Sequence, residues 1–596
     1  MTERSKKLII AAAAFAVGIA VGISSIIIIK RNTKPLTVVK ASGIDSAVNY
    51  NSVYKVMEKF VPTLFESISS RVEGYNGAKK SDGTAKYTAD EGDAAGNTGA
   101  GYSETNVQVQ GVDEADILKT NGKYIYILKN EYDKSKKMQK AVIKIVNITG
   151  ESPVQSKSIT LENFFANDMY LTDSRLAVIG CSDAAGLYGE ETAEDIAVSQ
   201  NQSAVRIYDI KDPDNPKKVA ECMQSGNCRE TRLINGKLYI ISNFYIDAEN
   251  IKKEKPQSFV PSVSAENYNG AVSAQSICFY NNCKEPEYTV LSAYDIKNGK
   301  LLSTQSVLGG SYTVYASTEN IITASYAGGD GKLQITRFSV SDGNIKLESS
   351  GELTGNLLNQ FSIDEYKEHF RFVLTDDGGE YSRNSLVITD MDLKETGSIN
   401  NIAEGEQVYS VRFMGDTAYF VTFRRVDPLF SADVSNPTSP KITGSLKIPG
   451  FSNYLFPFGE GKLFGIGQSA DEKTGRTTGM KISMFDINSL ADVTECAKTD
   501  VPAPYSEALH NHKATLISRD KNIIGFPAYG GQNNILYFIY SYEKNEFVKK
   551  AEIDLPYSNA GCRGLYSGDK FYAVTPDTLY CLSLGGFEKL SKITLN

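Results

Sequence analysis

Histidines are the scarcest side chains in this sequence that could bind a metal ion or move a proton. There are three of them: His369, His510 and His512. His510 and His512 are two residues apart, and on a β-strand residues two apart point to one face. Both rings could therefore reach one ion, although a metal site needs further ligands. His510 and His512 are candidate metal ligands, with ordinary structural histidines as the favoured alternative.

A second set of candidate ligands is acidic. Residues 113–116 have the sequence "DEAD", which places Asp113, Glu114 and Asp116 just before the first predicted strand. Carboxylate oxygens are the ligands that Ca²⁺ prefers, so calcium is the one cofactor that this segment suggests. The alternative, which we favour, is a structural role in capping the sheet edge near the centre of the fold. We predict no cofactor and assign no catalytic residue.

The spacing of the cysteines is compatible with disulfides and argues against cysteine-based metal sites. None of the eight cysteines forms a Cys-x-x-Cys pair, which argues against zinc-ribbon and thioredoxin-like sites. Two pairs are close enough in sequence to close small loops, Cys222 with Cys228 and Cys278 with Cys283. Bridges at these pairs are permitted if the domain is exported. Buried thiols that act as small apolar side chains are the alternative.

Common catalytic sequence motifs are absent from the sequence. It contains no Gly-x-Ser-x-Gly, no His-Glu-x-x-His and no phosphate-binding loop, which disfavours an enzyme without excluding a site assembled from distant strands. The net charge is −8, from 71 acidic and 63 basic residues. Because nucleic-acid binding relies on clustered Lys and Arg, we expect no nucleic-acid partner.

The N-terminus predicts a membrane anchor. Residues 8–29 carry no charge over 22 positions, and a helix of that length spans a bilayer. A cleavable signal peptide, which would leave a secreted protein, is the competing interpretation. We divide the chain into a cytoplasmic tail and anchor (1–31), a tether with a short helix and a Gly- and Ser-rich linker (32–104), and one large domain (105–596). Within the tether, Val53, Val56 and Met57 follow a helical spacing, with Ser52 as the predicted N-cap.

The large domain is repetitive. Alternating apolar runs end in a small polar residue followed by one more apolar residue, and these markers stand 41 to 86 residues apart. A short oxygen-bearing side chain at a strand end accepts a bond from the backbone two residues on, so we predict that the markers cap turns rather than bind calcium. The markers are Asn147, Asp209, Asp295, Ser339, Asp392, Asp433, Asp486, Ser541 and Ser583.

Each marker lies in the same local context. Two apolar runs joined by a tight turn precede it, as in "ETRLINGKLYIIS", and another apolar run follows it. Asn121-Gly122 and Asn235-Gly236 are strong hairpin signals because both residue types tolerate positive φ. Four short antiparallel strands per unit predict an all-β fold, a β-propeller of four-stranded blades. We count nine units, with eight possible if one unit elaborates a neighbour.

Two insertions interrupt the units, at 182–203 and 243–288. Long insertions on a rigid scaffold are often where partners bind. We expect these loops to form the binding surface, with unselected loop growth as the alternative.

Several stretches carry a family resemblance over residues 105–596. "TNVQVQGVDEADILKTNGKYIYIL" (105–128), "FSIDEYKEHFRF" (361–372) and "YSEALHNHKATLI" (505–517) resemble the secreted bacterial and archaeal β-propeller-domain family, which is distantly related to WD-type repeats. His510 departs from the aromatic residue expected in that pattern, whereas His512 fits it. The resemblance implies an exported or membrane-tethered propeller and no particular reaction.

The function expected from the sequence is that of a membrane-anchored, extracytoplasmic binding or scaffold module at the cell envelope. Its partner would be a protein, a peptide or a polysaccharide. The alternative is an envelope hydrolase or lyase with a site at the mouth of the propeller channel. Convergence of His369, His510 and several carboxylates on that mouth would favour the enzyme.

Overall fold

The structure, a computed structural model, describes most of the chain beyond the N-terminal segments. The described residues are 44–61 and 101–596, apart from 137, 183–201, 281–282, 327–330, 424–426, 460, 472–473, 475, 531–533 and 560. The predicted anchor at 8–29 therefore lies outside the described residues. Within the described ranges, no helix is both long and apolar enough to cross a membrane.

Consecutive strands of the large domain pair into antiparallel sheets in chain order, which confirms the four-stranded units predicted from the repeats. Sheet 1 contains β3 (Leu118–Thr120), β4 (Tyr124–Asp133), β5 (Met138–Asn147) and β6 (Val154–Glu162). Sheet 2 contains β7 (Phe164–Leu171), β8 (Arg175–Ser182), β9 (Gln202–Asp209) and β10 (Lys217–Ser225), with the hairpin β13 (Ser262–Ala265) and β14 (Tyr268–Ala271) added at its edge. Sheet 3 contains β11 (Asn227–Ile234), β12 (Lys237–Tyr245), β16 (Glu287–Asp295) and β17 (Leu301–Leu308), flanked by β2 (Val112–Asp113), β15 (Ile277–Tyr280) and β1 (Ile44–Ser46).

The remaining sheets follow the same order. Sheet 4 contains β18 (Thr313–Ala316), β19 (Asn320–Tyr326), β20 (Lys332–Ser341) and β21 (Asn344–Thr354), and sheet 5 contains β22 (Asn356–Leu357), β23 (Ile363–Tyr366), β24 (His369–Asp376), β25 (Arg383–Thr389) and β26 (Glu395–Ile402). Sheet 6 contains β27 (Gln407–Met414), β28 (Thr417–Phe423), β29 (Asp427–Asp433) and β30 (Lys441–Ile448), and sheet 7 contains β31 (Phe451–Pro457), β32 (Lys462–Ala470), β33 (Thr477–Asp486) and β34 (Thr494–Val501).

Sheet 8 contains β35 (Leu516–Ser518), β36 (Ile523–Tyr529), β37 (Asn534–Glu543) and β38 (Glu546–Pro556), and sheet 9 contains β39 (Arg563–Ser567), β40 (Lys570–Thr575), β41 (Thr578–Ser583) and β42 (Lys589–Thr594). The described residues thus form nine sheets, in agreement with the larger of the two predicted counts. Short 3-10 helices precede or interrupt them at Glu58–Phe60, Ala248–Asn250, Pro256–Ser258, Ala274–Ser276, Gln360–Ser362, Glu507–Leu509 and His512–Ala514.

Five of the nine polar markers cap turns in the predicted way. Oδ1 of Asp209, the last residue of β9, accepts a hydrogen bond from the backbone N–H of Lys211 at 3.0 Å. The same bond, to the residue two positions on, is made by Asp295, Asn147, Asp433 and Asp486. These bonds fix the turn into the last strand of their sheets. The hydroxyls of the markers Ser339 and Ser541 instead donate to Glu348 and Glu543.

One marker was placed two residues too late. The prediction named Asp392, but β25 ends at Thr389 and the capping residue is Asp390. Asp390 Oδ1 accepts from the backbone N–H groups of Asp392 and Lys394, at 2.9 Å each. The sequence offers two aspartates here, and only the one directly after the strand is in position to cap the turn.

Apolar cores lie between neighbouring sheets and close them into a ring. Sheet 9 packs on sheet 1, where Ile125 and Ile127 meet Tyr572 and Leu579. The buried ammonium of Lys144 on β5 strengthens this junction by donating to the carbonyls of Pro576 at 2.9 Å and Leu595 at 3.1 Å. The first and last sheets are therefore neighbours in space.

The N-terminal residues dock on the outer part of sheet 3. Strand β1 pairs with β15, and helix α1 (Tyr50–Met57) buries Val53 and Met57 against sheets 2 and 3. Ser52, predicted as the N-cap, is instead the third helical residue. The cap is Asn49, whose Oδ1 accepts from Ser52 N–H at 3.0 Å while Ser52 Oγ accepts from Asn49 N–H at 3.3 Å. The reciprocal pair is a capping box.

The structure bears differently on the two insertions that were predicted to form the binding surface. Residues 183–201 lie outside the described residues, so the first insertion stays a prediction. Much of the second, 243–288, is folded into β13, β14 and β15. Phe259 within it contacts the ring of Tyr54 at 5.5 Å, and Val272 O accepts from Tyr50 Oη at 3.0 Å. Helix α1 therefore covers part of the surface that the sequence suggested for binding.

Candidate functional site: a central charge cluster and an aromatic row

A segment before the first sheet, residues 105–117, crosses several sheets, and we call it the central strap. Its strand β2 pairs with Leu233 and Ile234 of β11, and the backbone of Asp116 pairs with Met169 of β7. Gln108 Nε2 donates to the carbonyls of Gln360 and Ile363, each at 3.2 Å. The central strap thus touches sheets 2, 3 and 5.

The same segment also reaches sheets 8 and 9. Lys513 Nζ donates to the carbonyl of Ala115 at 2.8 Å, and Asp116 pairs with Arg563 at the start of β39. The 13 residues of the strap span at most about 45 Å when fully extended. One such segment can reach five sheets only if their first strands line a common axis, so the strap lies across the centre of the ring.

Charged side chains gather where the strap meets these first strands. We call this set the central charge cluster. Most members belong to the strap, to a first strand, or to the 3-10 helices that precede β35. Its carboxylates are Asp113, Glu114, Asp116, Asp168, Glu230 and Glu507, its basic groups are Lys119, Arg232, Lys513 and Arg563, and its histidine is His512.

Glu114 is buried at the middle of the cluster. Its Oε2 lies 3.2 Å from His512 Nε2, and its Oε1 accepts from the backbone N–H of Gln108 at 3.1 Å. Burial alone raises the pKa of Glu114, but the charge of Arg232 and the bond with His512 outweigh it and hold the pKa well below its usual range. Glu114 is therefore an ionised carboxylate inside the protein.

His512 is neutral in this setting. Its side chain is 2% exposed, and burial lowers its pKa more than Glu114 raises it. Nε2–H then donates to Glu114, which leaves Nδ1 with a lone pair, and Nδ1 has no hydrogen-bond partner among the described residues. The arrangement orients the ring as a base would be oriented, but the ring is closed off from solvent.

Asp116, Arg563 and Glu507 form a second ion-pair group. Arg563 Nε and Nη2 each lie 3.0 Å from an oxygen of Asp116, and its Nη1 donates to Glu507 Oε1 at 3.0 Å. Burial alone raises the pKa of Asp116, but Arg563 lowers it below the ordinary value. The bidentate geometry is the strongest form of this contact.

Asp168 behaves in the opposite way. It lies half-buried on β7, with Oδ2 3.5 Å from Lys513 Nζ. Burial raises the pKa of Asp168 to about 6, even though Lys513 lowers it. The central charge cluster therefore holds carboxylates that respond to pH in opposite directions.

The structure brings together only part of the predicted site. Glu114 meets His512, whereas Asp113 pairs with Lys119 at 2.9 Å. His510 is exposed and stacks on Tyr505, with ring centroids 5.6 Å apart. Within the described part of the chain, no group of three or more His, Cys, Asp or Glu side chains is placed to hold a metal ion.

His369 lies at the β23–β24 turn, where its Nδ1 is 2.8 Å from the carbonyl of Lys367. It is not a member of the central charge cluster. His369 and His510, whose convergence with carboxylates would have favoured an enzyme, thus lie on different sheets, at the β23–β24 turn and against Tyr505.

The two possible disulfides stay a prediction, and the cysteines are thiols in the structure. All eight cysteines are among the described residues, and no bridge joins any of them. Cys222 lies on the last strand of sheet 2 and Cys228 on the first strand of the neighbouring sheet 3, and both contact the same apolar core. Cys278 Sγ lies 3.6 Å from Ser46 Oγ, while Cys283 Sγ donates to the carbonyl of Glu285.

A set of exposed rings borders the cluster, and we call it the aromatic row. Tyr505 stacks on His510 and on Tyr529, the latter with centroids 5.4 Å apart and planes 27° from parallel. Tyr529 meets Tyr557 at 6.2 Å and 54°. A backbone bridge between Tyr505 and Tyr529 fixes the row on sheet 8. Burial raises the pKa of Tyr529 to about 12, and the nearby carboxylate of Glu507 adds to this.

Sequence reasoning missed the basic half of the cluster. Arg232 and Arg563 lie on first strands, and Lys513 follows His512 directly. Arg232 is followed by the apolar pair Leu233 and Ile234, and an Arg beside a buried apolar run was the available signal, because a buried cation needs a buried carboxylate. The acidic "DEAD" segment was recognised without its partners.

Comparison with protein families identifies the fold. A family model described as "Beta propeller domain" matches residues 102–585, which is most of the chain. This protein belongs to the beta propeller domain family. The nine sheets are its blades, and the central strap crosses the propeller axis.

Two archaeal proteins are similar over most of the propeller chain. An uncharacterized protein of Methanocaldococcus jannaschii is 27% identical over 565 residues, covering 83% of this chain and 83% of that protein. An uncharacterized protein of Archaeoglobus fulgidus is 28% identical over 554 residues, covering 83% and 85%.

Solved structures resemble the chain more distantly. A structure titled as the eukaryotic initiation factor has a TM-score of 0.42 at 10% identity, over 76% of this chain and 93% of that one. The Pseudomonas aeruginosa periplasmic gluconolactonase has a TM-score of 0.32 at 11% identity, over 52% and 92%. Likenesses at this level carry no argument about function.

Proposed function

We propose that this propeller is a binding module of the cell envelope and that its ligand contacts the aromatic row. The observation that carries the proposal is exposure: Tyr505 is 43% exposed and Tyr557 48% exposed, within one stacked set of rings. Grouped exposed aromatic side chains are typical of interaction surfaces. The charged groups beside them are largely committed to one another.

The location at the envelope is part of the proposal. The uncharged run 8–29 supports an anchor, which would hold the propeller outside the cytoplasm. The partner is then a protein, a peptide or a polysaccharide of the envelope. The net charge of −8 argues against a nucleic acid.

The binding surface differs from the one that the insertions suggested. Part of 243–288 packs against helix α1, so those side chains are not available to a ligand. The rings of the aromatic row have no such cover among the described residues, as the exposure of Tyr505 and Tyr557 shows.

An envelope hydrolase or lyase is the second function, and the Glu114–His512 pair is the observation that favours it. A carboxylate that orients a neutral imidazole is the arrangement of a general base. A substrate would have to reach Nδ1, however, and the His512 side chain is 2% exposed. Binding therefore remains the better-supported function.

The test of the binding function compares three forms of the full-length chain. Immobilised wild-type protein is incubated separately with envelope proteins and with envelope polysaccharide, and saturable retention is measured. We expect the Tyr505→Ala/Tyr557→Ala variant to lose retention. Tyr381→Ala is the matched control, since Tyr381 is 50% exposed on sheet 5. Equal retention by all three forms, or turnover of a substrate that requires His512, would contradict the proposal.

The envelope location has its own test. Cys181 is an exposed thiol on β8. A maleimide that cannot cross membranes should label it in intact cells, and Cys181→Ser should reduce the labelling. If labelling requires lysed cells, the propeller lies on the cytoplasmic side.

A further inference from the structure

We propose that the aromatic row holds a cationic side chain, Lys or Arg, of a partner protein. This inference rests on the proposed binding function and names the chemistry of its ligand. The site is the corner between Tyr529 and Tyr557, with Glu507 beside it.

The shape of the row suits a cation. Tyr505 and Tyr529 stack closely, so one side of Tyr529 is already covered. The planes of the Tyr529 and Tyr557 rings are tilted by 54°, with centroids 6.2 Å apart. The two ring faces therefore form an open angle. An ammonium or guanidinium group in such a corner lies over ring faces, which attract positive charge through their quadrupole. Arg can also stack its planar group on a ring.

The charge around the row points the same way. Glu507, whose Oε1 also accepts from Arg563 at 3.0 Å, lies close enough to Tyr505 and Tyr529 to add to the rise in the pKa of both hydroxyls that burial causes. The central charge cluster behind it holds six carboxylates against four basic groups. Each of those four basic groups is already paired inside the protein, so the neighbourhood of the row is net acidic.

The charge balance also argues against other ligands. A phosphate or an acidic polysaccharide would meet carboxylates here rather than available cations. A neutral sugar would gain ring contacts but would not use the acidic surroundings. Electrostatic complementarity therefore favours a basic protein surface or peptide.

The experiment uses four labelled octapeptides in which every second residue is Lys, Arg, Gln or Glu and the rest are Gly and Ser. Fluorescence anisotropy with the full-length protein gives their affinities. We expect the Lys and Arg peptides to bind about tenfold more tightly than the Gln peptide, and the Glu peptide to bind weakest. Tyr557→Leu should lose about tenfold for the Lys and Arg peptides, while Tyr557→Phe should retain binding.

The variants distinguish binding of a cation at the aromatic row from a general attraction of basic peptides to an acidic protein. Tyr557→Leu leaves the net charge unchanged, and Tyr381→Leu provides a matched surface control. Equal binding of the Lys peptide by wild type and by Tyr557→Leu would overturn the inference. If the Gln peptide or envelope polysaccharide alone depends on Tyr557, the cation is wrong and the binding function stands. If no ligand depends on the aromatic row, both proposals fail.

Discussion

The central charge cluster and the aromatic row lie side by side, yet they use their side chains in opposite ways. In the cluster, charged groups are buried and paired, as Asp116 is with Arg563 and Glu114 with His512. In the row, large rings stay partly in water. A buried charge that lost its partner would be strongly destabilising, so the paired charges favour the one fold in which they meet. A set of exposed rings, in contrast, leaves apolar surface accessible to a partner. We therefore expect the first region to stabilise the propeller and propose that the second binds a partner.

The largest effect should come from breaking the bidentate pair. Arg563→Met leaves Asp116 buried without its cation, and we expect the free energy of unfolding to fall by about 3–5 kcal/mol. Urea denaturation measures the change. Lys549→Met is the control, because Lys549 and Glu552 form an exposed pair and its loss should cost about 0.5 kcal/mol. Similar losses in the two variants would mean that the cluster does not stabilise the fold.

The Glu114–His512 contact should have a smaller effect. Glu114→Gln replaces a charged acceptor with a neutral one, and we expect a loss of about 1–3 kcal/mol at pH 7. The folded-state pKa of Glu114 is lowered, so its stabilisation is present above its unfolded pKa and disappears as pH falls. The difference between wild type and variant should therefore shrink in acid. A difference that stays constant from pH 7 to pH 3 would argue against an ionised Glu114.

Asp168 should show the reverse pH dependence. Its folded-state pKa is raised to about 6, so the native state binds more protons than the unfolded state between about pH 4 and pH 6. Stability contributed through Asp168 is then present in acid and falls as pH rises through that window. Asp168→Asn should be stabilising relative to wild type by about 2 kcal/mol more at pH 7 than at pH 4. Parallel stability–pH curves for the two proteins would contradict this.

The smallest effect on stability should come from the aromatic row. Tyr557 is 48% exposed, and Tyr557→Leu should change the free energy of unfolding by no more than about 0.5 kcal/mol. The same variant should lose ligand retention. A large loss of stability would assign the row to the structural region and remove the contrast with the cluster.

The sequence predicted the repeated architecture because its signals are local. An Asp that caps a turn acts on the backbone two residues on, as Asp209 does on Lys211. Asn235-Gly236 joins β11 to β12 with positive φ at both residues, at 48° and 74°. Such signals need no knowledge of the rest of the chain. The prediction failed where two aspartates stand close together, at Asp390 and Asp392, and at the serine markers Ser339 and Ser541, whose hydroxyls donate to glutamates.

The candidate site was predicted poorly because its contacts are remote. Glu114 and His512 are 398 positions apart, and Asp116 and Arg563 are 447 apart. No periodicity connects them, and only closure of the ring brings them together. The aromatic row was missed for a related reason, since Tyr505 precedes β35, Tyr529 ends β36 and Tyr557 follows β38.

The central strap also imposes an order on how the molecule is completed. It is made early during synthesis, but the side chains of the C-terminal sheets that bind it, His512, Lys513 and Arg563, are made last. Until the ribosome has delivered the final two blades, Asp116 lacks its bidentate cation and Glu114 lacks its hydrogen bond to His512. A nascent or C-terminally truncated chain therefore cannot complete the contacts at the centre of the ring.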